Sequence, residues 1–305
     1  MKTDKLIKII KLGRFHFILG GFLYFSIGAL FAVLLNAEFA LNKFIFGYII
    51  FFTAHLSMHY SNDYFDFESD KYGKPSQFAG GSGILVKNPE LRTFAKWFSI
   101  TLLSLSLIFA VIFTFIFSYS ALFFLFVLFG NFLAFFYAAP PIKLSYNGLG
   151  EIATISIGFL MPAMGYLTLT GTINMPFVIF SIPLILYQLL FINAVQIPDM
   201  EGDKIGGKTT WIVRKGRVFG FKIITFAGSL TTLSFLILSF TKLYPTILNF
   251  KVMAFISIIP LSFAIISYLN KSTDRKTATK LVNRNLSSLF LFAIIVNFYF
   301  IYLLL

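Results

Sequence analysis

The sequence predicts an all-α, polytopic membrane protein with about nine transmembrane helices. Of its 305 residues, 58% are apolar and only 12% are charged, whereas a soluble domain usually carries about 25% charged residues. The mean hydropathy of +0.85 points the same way. The apolar residues come in long blocks, and a helix needs roughly 20 of them to cross a bilayer. These features favour helices that face lipid over a soluble core.

Nine apolar blocks are long enough to be candidate spans, and only short joins near 118–120 and 171–175 separate some of them. Two longer loops, near 62–97 and 198–218, interrupt the series. We find no tandem repeat or low-complexity linker, so residues 1–305 are predicted to form a single domain. The candidate spans are Phe15–Leu35, Phe44–Tyr60, Phe94–Phe117, Tyr119–Tyr137, Ile152–Thr170, Pro176–Ile197, Phe219–Phe240, Phe250–Leu269 and Leu286–Leu304.

The charge distribution predicts how the chain is oriented in the membrane. The net charge is +13, but the basic residues sit in short loops between apolar blocks, so we expect no nucleic-acid partner. All Lys and Arg residues except Lys43, Lys242 and Lys251 fall on one predicted side. The positive-inside rule then predicts a multi-pass protein of the cell membrane with a cytoplasmic N-terminus and an external C-terminus. The basic start, residues 1–14, leads directly into a spanning block, so no cleavable signal peptide is expected.

Acidic residues are scarce, which makes their clustering informative. Of the 12 Asp and Glu residues, several lie in a short stretch after the second predicted span. If this stretch is helical, Asn62, Asp66 and Asp70 share one face at spacings of four residues, with Asp63 beside them. Glu68 points roughly the opposite way. Like charges on one face repel each other, so they indicate a bound cation or a basic partner.

The second acidic stretch repeats this arrangement after the sixth predicted span, with Asp199 and Asp203 on one face and Glu201 pointing away. Both stretches follow even-numbered spans and are therefore predicted at the same cytoplasmic surface. Oxygen ligands suit Mg²⁺, which takes one or two carboxylates and completes its shell with water and phosphate oxygens. The pattern predicts a Mg²⁺–diphosphate site, and solvated acidic loops are the alternative. The candidate metal ligands are Asn62, Asp63, Asp66, Asp70, Asp199 and Asp203.

Several basic and small residues are candidate partners for the diphosphate. Arg14, Lys143 and Lys208 could neutralise phosphate oxygens, and their alternative role is to set membrane topology. The glycine-rich segment 80–83 offers backbone amides to an anion or an acceptor, or it is a plain flexible loop.

Two histidines, His55 and His59, lie four residues apart on the second predicted span. That spacing fits a pair of metal ligands, but no third nitrogen or sulfur ligand is apparent. The chain has no cysteine, which excludes disulfides and thiolate metal sites. We therefore interpret the histidines as polar interior positions near the cavity.

With these motifs, the sequence resembles the UbiA superfamily of intramembrane prenyltransferases. Residues 62–70 match its NDxxDxxxD pattern, residues 199–203 match its DxxxD pattern, and the segment 137–151 is also similar. The resemblance covers nearly the whole chain. It implies a bundle of nine helices around a central cavity that opens laterally to lipid, capped by the loops near 62–97 and 198–218.

The resemblance also implies an activity, the Mg²⁺-dependent transfer of a prenyl group from an allylic prenyl diphosphate to a small lipophilic acceptor within the membrane. Segments 80–85 and 199–216 look most like the branch that prenylates dihydroxynaphthoate on the way to menaquinone, which favours an aromatic quinone precursor. Gln196 to Pro198 departs from that branch, where an arginine is expected. The implied catalytic residues are Asp66, Asp70, Asp199, Asp203 and Lys143. The implied substrate-binding residues are Arg14, Asn62, Asp63, Tyr137, Tyr146 and Lys208.

Two alternatives stay open at this point. One is prenyl transfer to a glycerol-phosphate lipid, although the arginine- and proline-rich stretch expected after the first motif is absent. The other is a cation-coupled transporter, which also uses intramembrane carboxylates. Transporters usually place them at the midplane of broken helices in inverted repeats, whereas here they lie at the ends of spans. No protein partner is implied.

Overall fold

The computed structural model describes residues 2–305, so Met1 of the basic start lies outside the described residues. Every regular element in these residues is a helix, and short 3₁₀ turns cover Pro89–Leu91 and Ile197–Asp199. The α-helices are α1 Lys2–Leu12, α2 Phe15–Leu34, α3 Leu41–Phe65, α4 Phe67–Asp70, α5 Ile84–Lys87, α6 Arg92–Ile116, α7 Ala121–Phe136, α8 Gly150–Thr170, α9 Met175–Gln196, α10 Met200–Ile205, α11 Trp211–Lys215, α12 Arg217–Leu238, α13 Phe250–Leu269 and α14 Arg275–Leu304.

Within residues 2–305, 8 helices are long and apolar enough to cross a membrane. The apolar helix α7 is shorter, at 16 residues. With α7 included, the long helices correspond one by one to the predicted spans, so the predicted fold class is confirmed. The bounds differ most at α14, which begins at Arg275 rather than Leu286. Ala278, Leu281 and Val282 are buried there at helical spacing, because the helix continues past its apolar segment into the cap.

Helices α2 and α8 pack so closely that their backbones touch, and glycine makes this possible. A Cβ atom at Gly28 would lie 1.7 Å from the carbonyl oxygen of Pro162, and one at Gly165 would lie 1.9 Å from that of Phe25. Small residues at such crossings let membrane helices approach each other. Through this contact α2 and α8 form two adjacent walls of the bundle interior.

Aromatic side chains fill one part of the core and also cover the outer surface. Phe31 of α2 stacks on Phe180 of α9 with ring centroids 3.9 Å apart. Phe115, Phe255 and Phe298 are instead exposed on the outside of the bundle, where lipid is the favourable environment for them.

The two predicted cap loops meet at one end of the bundle. They contain the short helices α4, α5, α10 and α11. A Cβ atom at Gly202 would lie 3.1 Å from Cα of Gly73, and one at Gly206 would lie 2.3 Å from Cβ of Ser69. The backbones of the two loops are therefore in contact, and both acidic motifs lie at the same end.

Candidate active site

A cavity of about 320 Å³ lies between the long helices and the two cap loops. Its inner walls are largely apolar, with contributions from Phe17, Ile50, Met164 and Phe290. Its charged lining, taken over the described residues, is confined to the capped end: Arg14, Asp63, Asp66, Asp70, Asp199, Asp203 and Lys208. One cavity thus offers a charged end and an apolar interior.

The first motif keeps the helical register that its spacing predicts, although α3 ends before it is complete. The amide of Asp66 donates to the carbonyl of Asn62 at 2.8 Å, and the amide of Asp70 donates to the carbonyl of Asp66 at 2.8 Å. These bonds between residues four apart carry the helical turn across the break between α3 and α4. Asn62, Asp66 and Asp70 all line the cavity as a result.

Lys208 connects the two motifs. Its Nζ lies 2.9 Å from Oδ2 of Asp66 and 3.3 Å from Oδ1 of Asp203, and its side chain is only 12% exposed. Burial disfavours the charge of Lys208, but Asp66 and Asp203 outweigh it and raise the pKa of Lys208 well above its usual value. The lysine is therefore held as a cation between two carboxylates.

The glycine-rich loop contacts aspartates of both motifs. The amide of Gly80 donates to Oδ2 of Asp199 at 2.7 Å. The hydroxyl of Ser82 hydrogen-bonds Asp63. Gly81 faces Asp70, where a Cβ atom would lie 2.3 Å from Oδ2. The sequence suggested amides free to bind an anion, whereas here the Gly80 amide is paired with a carboxylate.

The carboxylates that line the cavity outnumber its basic side chains, Arg14 and Lys208. Burial, followed by the charges of Asp66 and Asp63, raises the pKa of Asp70 to about 8. Oδ1 of Asn62 and Oδ1 of Asp199 are buried, and neither has a hydrogen-bond partner in the part of the chain that the structure describes. A divalent cation fits this donor set, because it would neutralise the carboxylates and use the free oxygens.

Among the described residues, no three His, Cys, Asp or Glu side chains are close enough to hold a metal by themselves. Mg²⁺ usually takes one or two carboxylates, with water and phosphate oxygens as its other ligands.

Most predicted site residues reach the cavity, but Lys143 and Tyr146 are not in its lining. Nζ of Lys143 lies 4.9 Å from the centre of the Tyr146 ring. The hydroxyl of Tyr146 donates to Oδ1 of Asp66 at 2.8 Å, so Tyr146 supports the motif without lining the cavity. The chain turns sharply after α7, and Lys143 lies in this turn, outside the cavity lining. The predicted residues in the lining are Arg14, Asn62, Asp63, Asp66, Asp70, Tyr137, Asp199, Asp203 and Lys208.

Three polar contacts of the cap were missed by sequence reasoning. Glu201 lies outside the cavity lining but pairs with Arg217, whose side chain is 3% exposed. Arg217 also donates to the carbonyl of Ile197 at 3.0 Å. Glu151 is fully buried and accepts a hydrogen bond from the amide of Trp211 at 2.6 Å. Because acidic residues are scarce, Glu151 could have been chosen from the sequence as a candidate, but no local pattern predicts its contact with Trp211.

The model of the UbiA prenyltransferase family matches residues 22–294 of this chain. The search of curated proteins found no match to this chain. Solved structures are similar over nearly the whole chain. A UbiA homolog from Archaeoglobus fulgidus bound to GPP and Mg²⁺ has 15% identity and a TM-score of 0.62, covering 94% of this chain and 99% of its own. The structure of a digeranylgeranylglyceryl phosphate synthase has 21% identity and a TM-score of 0.61, covering 96% of this chain and 99% of its own.

A third structure, of a UbiA homolog from Aeropyrum pernix K1, has 14% identity and a TM-score of 0.62, covering 87% of this chain and 96% of its own. At these identities the likeness to solved structures shows the fold. The family model covers most of the sequence, including both aspartate motifs. The chain therefore belongs to the UbiA prenyltransferase family.

Proposed function

We propose that this protein transfers the prenyl group of an allylic prenyl diphosphate to a hydroxylated aromatic acceptor, a quinone precursor, within the membrane. Family membership makes it a prenyltransferase and sets aside the transporter alternative. The main support is the meeting of the two aspartate motifs around Lys208. A diphosphate suits this charged end, and an isoprenoid chain suits the apolar interior. The proposal treats residues 1–305 as one domain, with the loops near 62–97 and 198–218 as its cap.

We propose Mg²⁺ as the cofactor, held with the diphosphate by the two motifs. Structures of Archaeoglobus fulgidus homologs contain GPP with Mg²⁺ and DMAPP with Mg²⁺. When bound, Mg²⁺ would neutralise the diphosphate and make it a better leaving group. The proposed ligands are Asn62, Asp63, Asp66, Asp70, Asp199 and Asp203, two of which keep unpaired buried oxygens.

The other groups of the cavity act on the substrate directly. Arg14 and Lys208 would contact the diphosphate as it departs with the electron pair of the broken C–O bond. The allylic cation that remains would lie beside aromatic faces such as Phe17 and Tyr137 in a cavity that excludes water. A carbon of the acceptor ring would then bond to it, and the ring would lose a proton.

Lys208 is expected to matter more than Lys143, although both are candidates for diphosphate stabilisation. Lys208→Met should lower kcat/KM by about 10- to 100-fold, because it removes a buried charge-assisted contact. Lys143→Met should change kcat/KM only a few-fold, since its amine rests on the Tyr146 ring. Steady-state kinetics of both variants with a soluble prenyl diphosphate would measure the difference. A larger loss for Lys143→Met would restore it as the catalytic lysine.

The cavity favours an aromatic acceptor over a glycerol phosphate. Arg14 and Lys208 are its cationic lining residues within 2–305, and both are needed for the diphosphate. A phosphorylated acceptor would require a further basic pocket of its own. A hydroxylated ring needs only apolar walls and hydrogen-bonding groups, as in the menaquinone branch that the segments 80–85 and 199–216 resemble.

A direct assay tests this function. The purified protein in lipid nanodiscs would be given Mg²⁺, allylic diphosphates of several lengths and a panel of acceptors. We expect products with dihydroxynaphthoate or hydroxybenzoate. Product with glyceryl phosphate alone, under the same conditions, would instead support the glycerol-phosphate lipid as acceptor.

We further propose that the capped end and the N-terminus face the cytoplasm and the C-terminus lies outside. The chain has no cysteine, so single cysteines can be introduced and labelled with an impermeant maleimide in intact cells. Lys271→Cys, on the basic side, should label only after permeabilisation. Lys242→Cys, on the opposite side, should label without it. The reverse pattern would invert the orientation.

A further inference from the structure

The two cavity histidines have no part in the diphosphate site described above. His55 and His59 line the cavity and are 7% and 4% exposed. Nδ1 of His55 and Nε2 of His59 are buried and have no hydrogen-bond partner among residues 2–305. Unpaired buried polar atoms cost free energy, and native proteins rarely keep them without a purpose. These atoms therefore point to a ligand that completes their hydrogen bonds.

Their place on α3 separates them from the diphosphate. His55, His59 and Asp63 follow each other at spacings of four residues and share a face of the helix. With a rise of 1.5 Å per residue, His59 lies about 6 Å and His55 about 12 Å along the axis from Asp63. The distance of about 6 Å is close to the length of an aromatic ring, which places His59 at the far edge of a ring that reaches the diphosphate end, with His55 about one helical turn beyond it.

The surroundings of the pair suit a flat ring. Phe17 stacks on His59 with centroids 5.7 Å apart and planes 20° apart, and the rings of His55 and His59 are 5.1 Å apart. Gly21 admits the His55 ring, because a Cβ atom there would lie 2.4 Å from Nδ1. Nδ1 of His55 therefore packs against α2, which leaves Nε2 of His59 as the nitrogen for a ligand. An isoprenoid tail would leave Nε2 unpaired, whereas a ring that carries hydroxyl groups would both stack and donate.

We propose that His55 and His59 form the acceptor-recognition subsite, where an imidazole nitrogen accepts a hydrogen bond from a hydroxyl of the aromatic acceptor. This inference rests on the proposed function and assigns the part of the cavity that selects the acceptor. The hydrogen bond positions the ring and raises its electron density at the carbon to be alkylated. The methyl ether of that hydroxyl lacks the donor and should bind more weakly.

The test compares a hydroxylated acceptor with its methyl ether, using dihydroxynaphthoate and its monomethyl ethers as probes. In the wild-type protein, we expect the ether on the recognised hydroxyl to raise the acceptor KM by about fivefold to tenfold. His59→Phe should bring the ratio of the two KM values close to one, with the KM for the prenyl diphosphate unchanged. Measuring both acceptors in both proteins separates the effect of the lost hydrogen bond from that of the extra bulk of the methyl group.

His16→Phe is the matched control, because His16 is exposed and outside the cavity lining. It should leave the KM ratio as in the wild type. The subsite is overturned if His59→Phe and His55→Phe both keep the wild-type ratio of the KM for the ether to the KM for the hydroxylated acceptor. If both variants fail to fold, equal KM values for the hydroxylated acceptors and all their ethers in the wild type would overturn it as well. Absence of any aromatic product from the wild type would instead overturn the proposed function.

Discussion

We expect Asp66→Asn to lower kcat/KM for the prenyl diphosphate by about 100-fold or more. Asp66 lines the cavity, pairs with Lys208 at 2.9 Å and accepts the hydroxyl of Tyr146 at 2.8 Å. Asparagine keeps the shape but removes the charge that would hold a cation and orient the lysine. Initial rates of product formation at varied prenyl diphosphate concentration would measure the loss.

Glu68→Gln is the matched control, because it makes the same chemical change in the same motif. Its side chain is 74% exposed and pairs only with Lys71 among the described residues, so kcat/KM should stay within about twofold of the wild type. Thermal unfolding of both variants would show whether the fold is retained. Equal losses at Asp66 and Glu68 with an intact fold would contradict the assignment of one helix face to the substrate.

The other aspartates of the cavity are expected to behave like Asp66. Glu201→Gln is not an equivalent control, although the sequence predicts that Glu201 points away from the site. Its carboxylate pairs with the buried Arg217, so its loss would disturb the cap without touching the substrate. The substitutions expected to lose most activity are Asp70→Asn, Asp199→Asn and Asp203→Asn.

Removal of divalent cations is expected to abolish turnover altogether. The cavity gathers five aspartates against Arg14 and Lys208, and a diphosphate would add further negative charge to the same end. Without a cation these charges repel each other. Burial, followed by the charges of Asp66 and Asp63, raises the pKa of Asp70 to about 8. Excess EDTA should therefore reduce product formation to background, and Mg²⁺ added beyond the chelator should restore it.

Binding measurements would separate a catalytic from a structural effect of the metal. The melting temperature in EDTA should stay near that of the untreated protein, because the fold rests on helix packing. The affinity for a non-hydrolysable prenyl diphosphate analogue should fall sharply. Turnover that persists undiminished in excess chelator would exclude a metal-bridged diphosphate.

Local patterns in the sequence were enough to predict the fold class and most of the candidate site. Span-length apolar blocks predict membrane helices, because each helix satisfies its own backbone in lipid. The spacing of Asn62, Asp66 and Asp70 predicts a shared face, because the helical period depends only on positions along the chain. The structure keeps this face even where α3 breaks.

The bounds of the helices were predicted less well. The sequence alone places the start of α14 at Leu286, where the apolar block begins. The helix starts at Arg275 because residues such as Ala278 and Leu281 pack against other elements. Hydropathy measures the preference for lipid, whereas the helix continues wherever neighbouring elements cover one of its faces.

Composition and short spacings are enough to predict the membrane class, the order of the spans and the acidic residues on each motif face. They do not predict that Lys208, rather than Lys143, joins the motifs or that Gly80 contacts Asp199. Nor do they predict that the imidazoles of His55 and His59 line the cavity with a nitrogen unpaired within residues 2–305. These contacts join residues of different helices and loops, up to 142 positions apart for Lys208 and Asp66. Such pairings depend on how the bundle packs, and no local period encodes that packing.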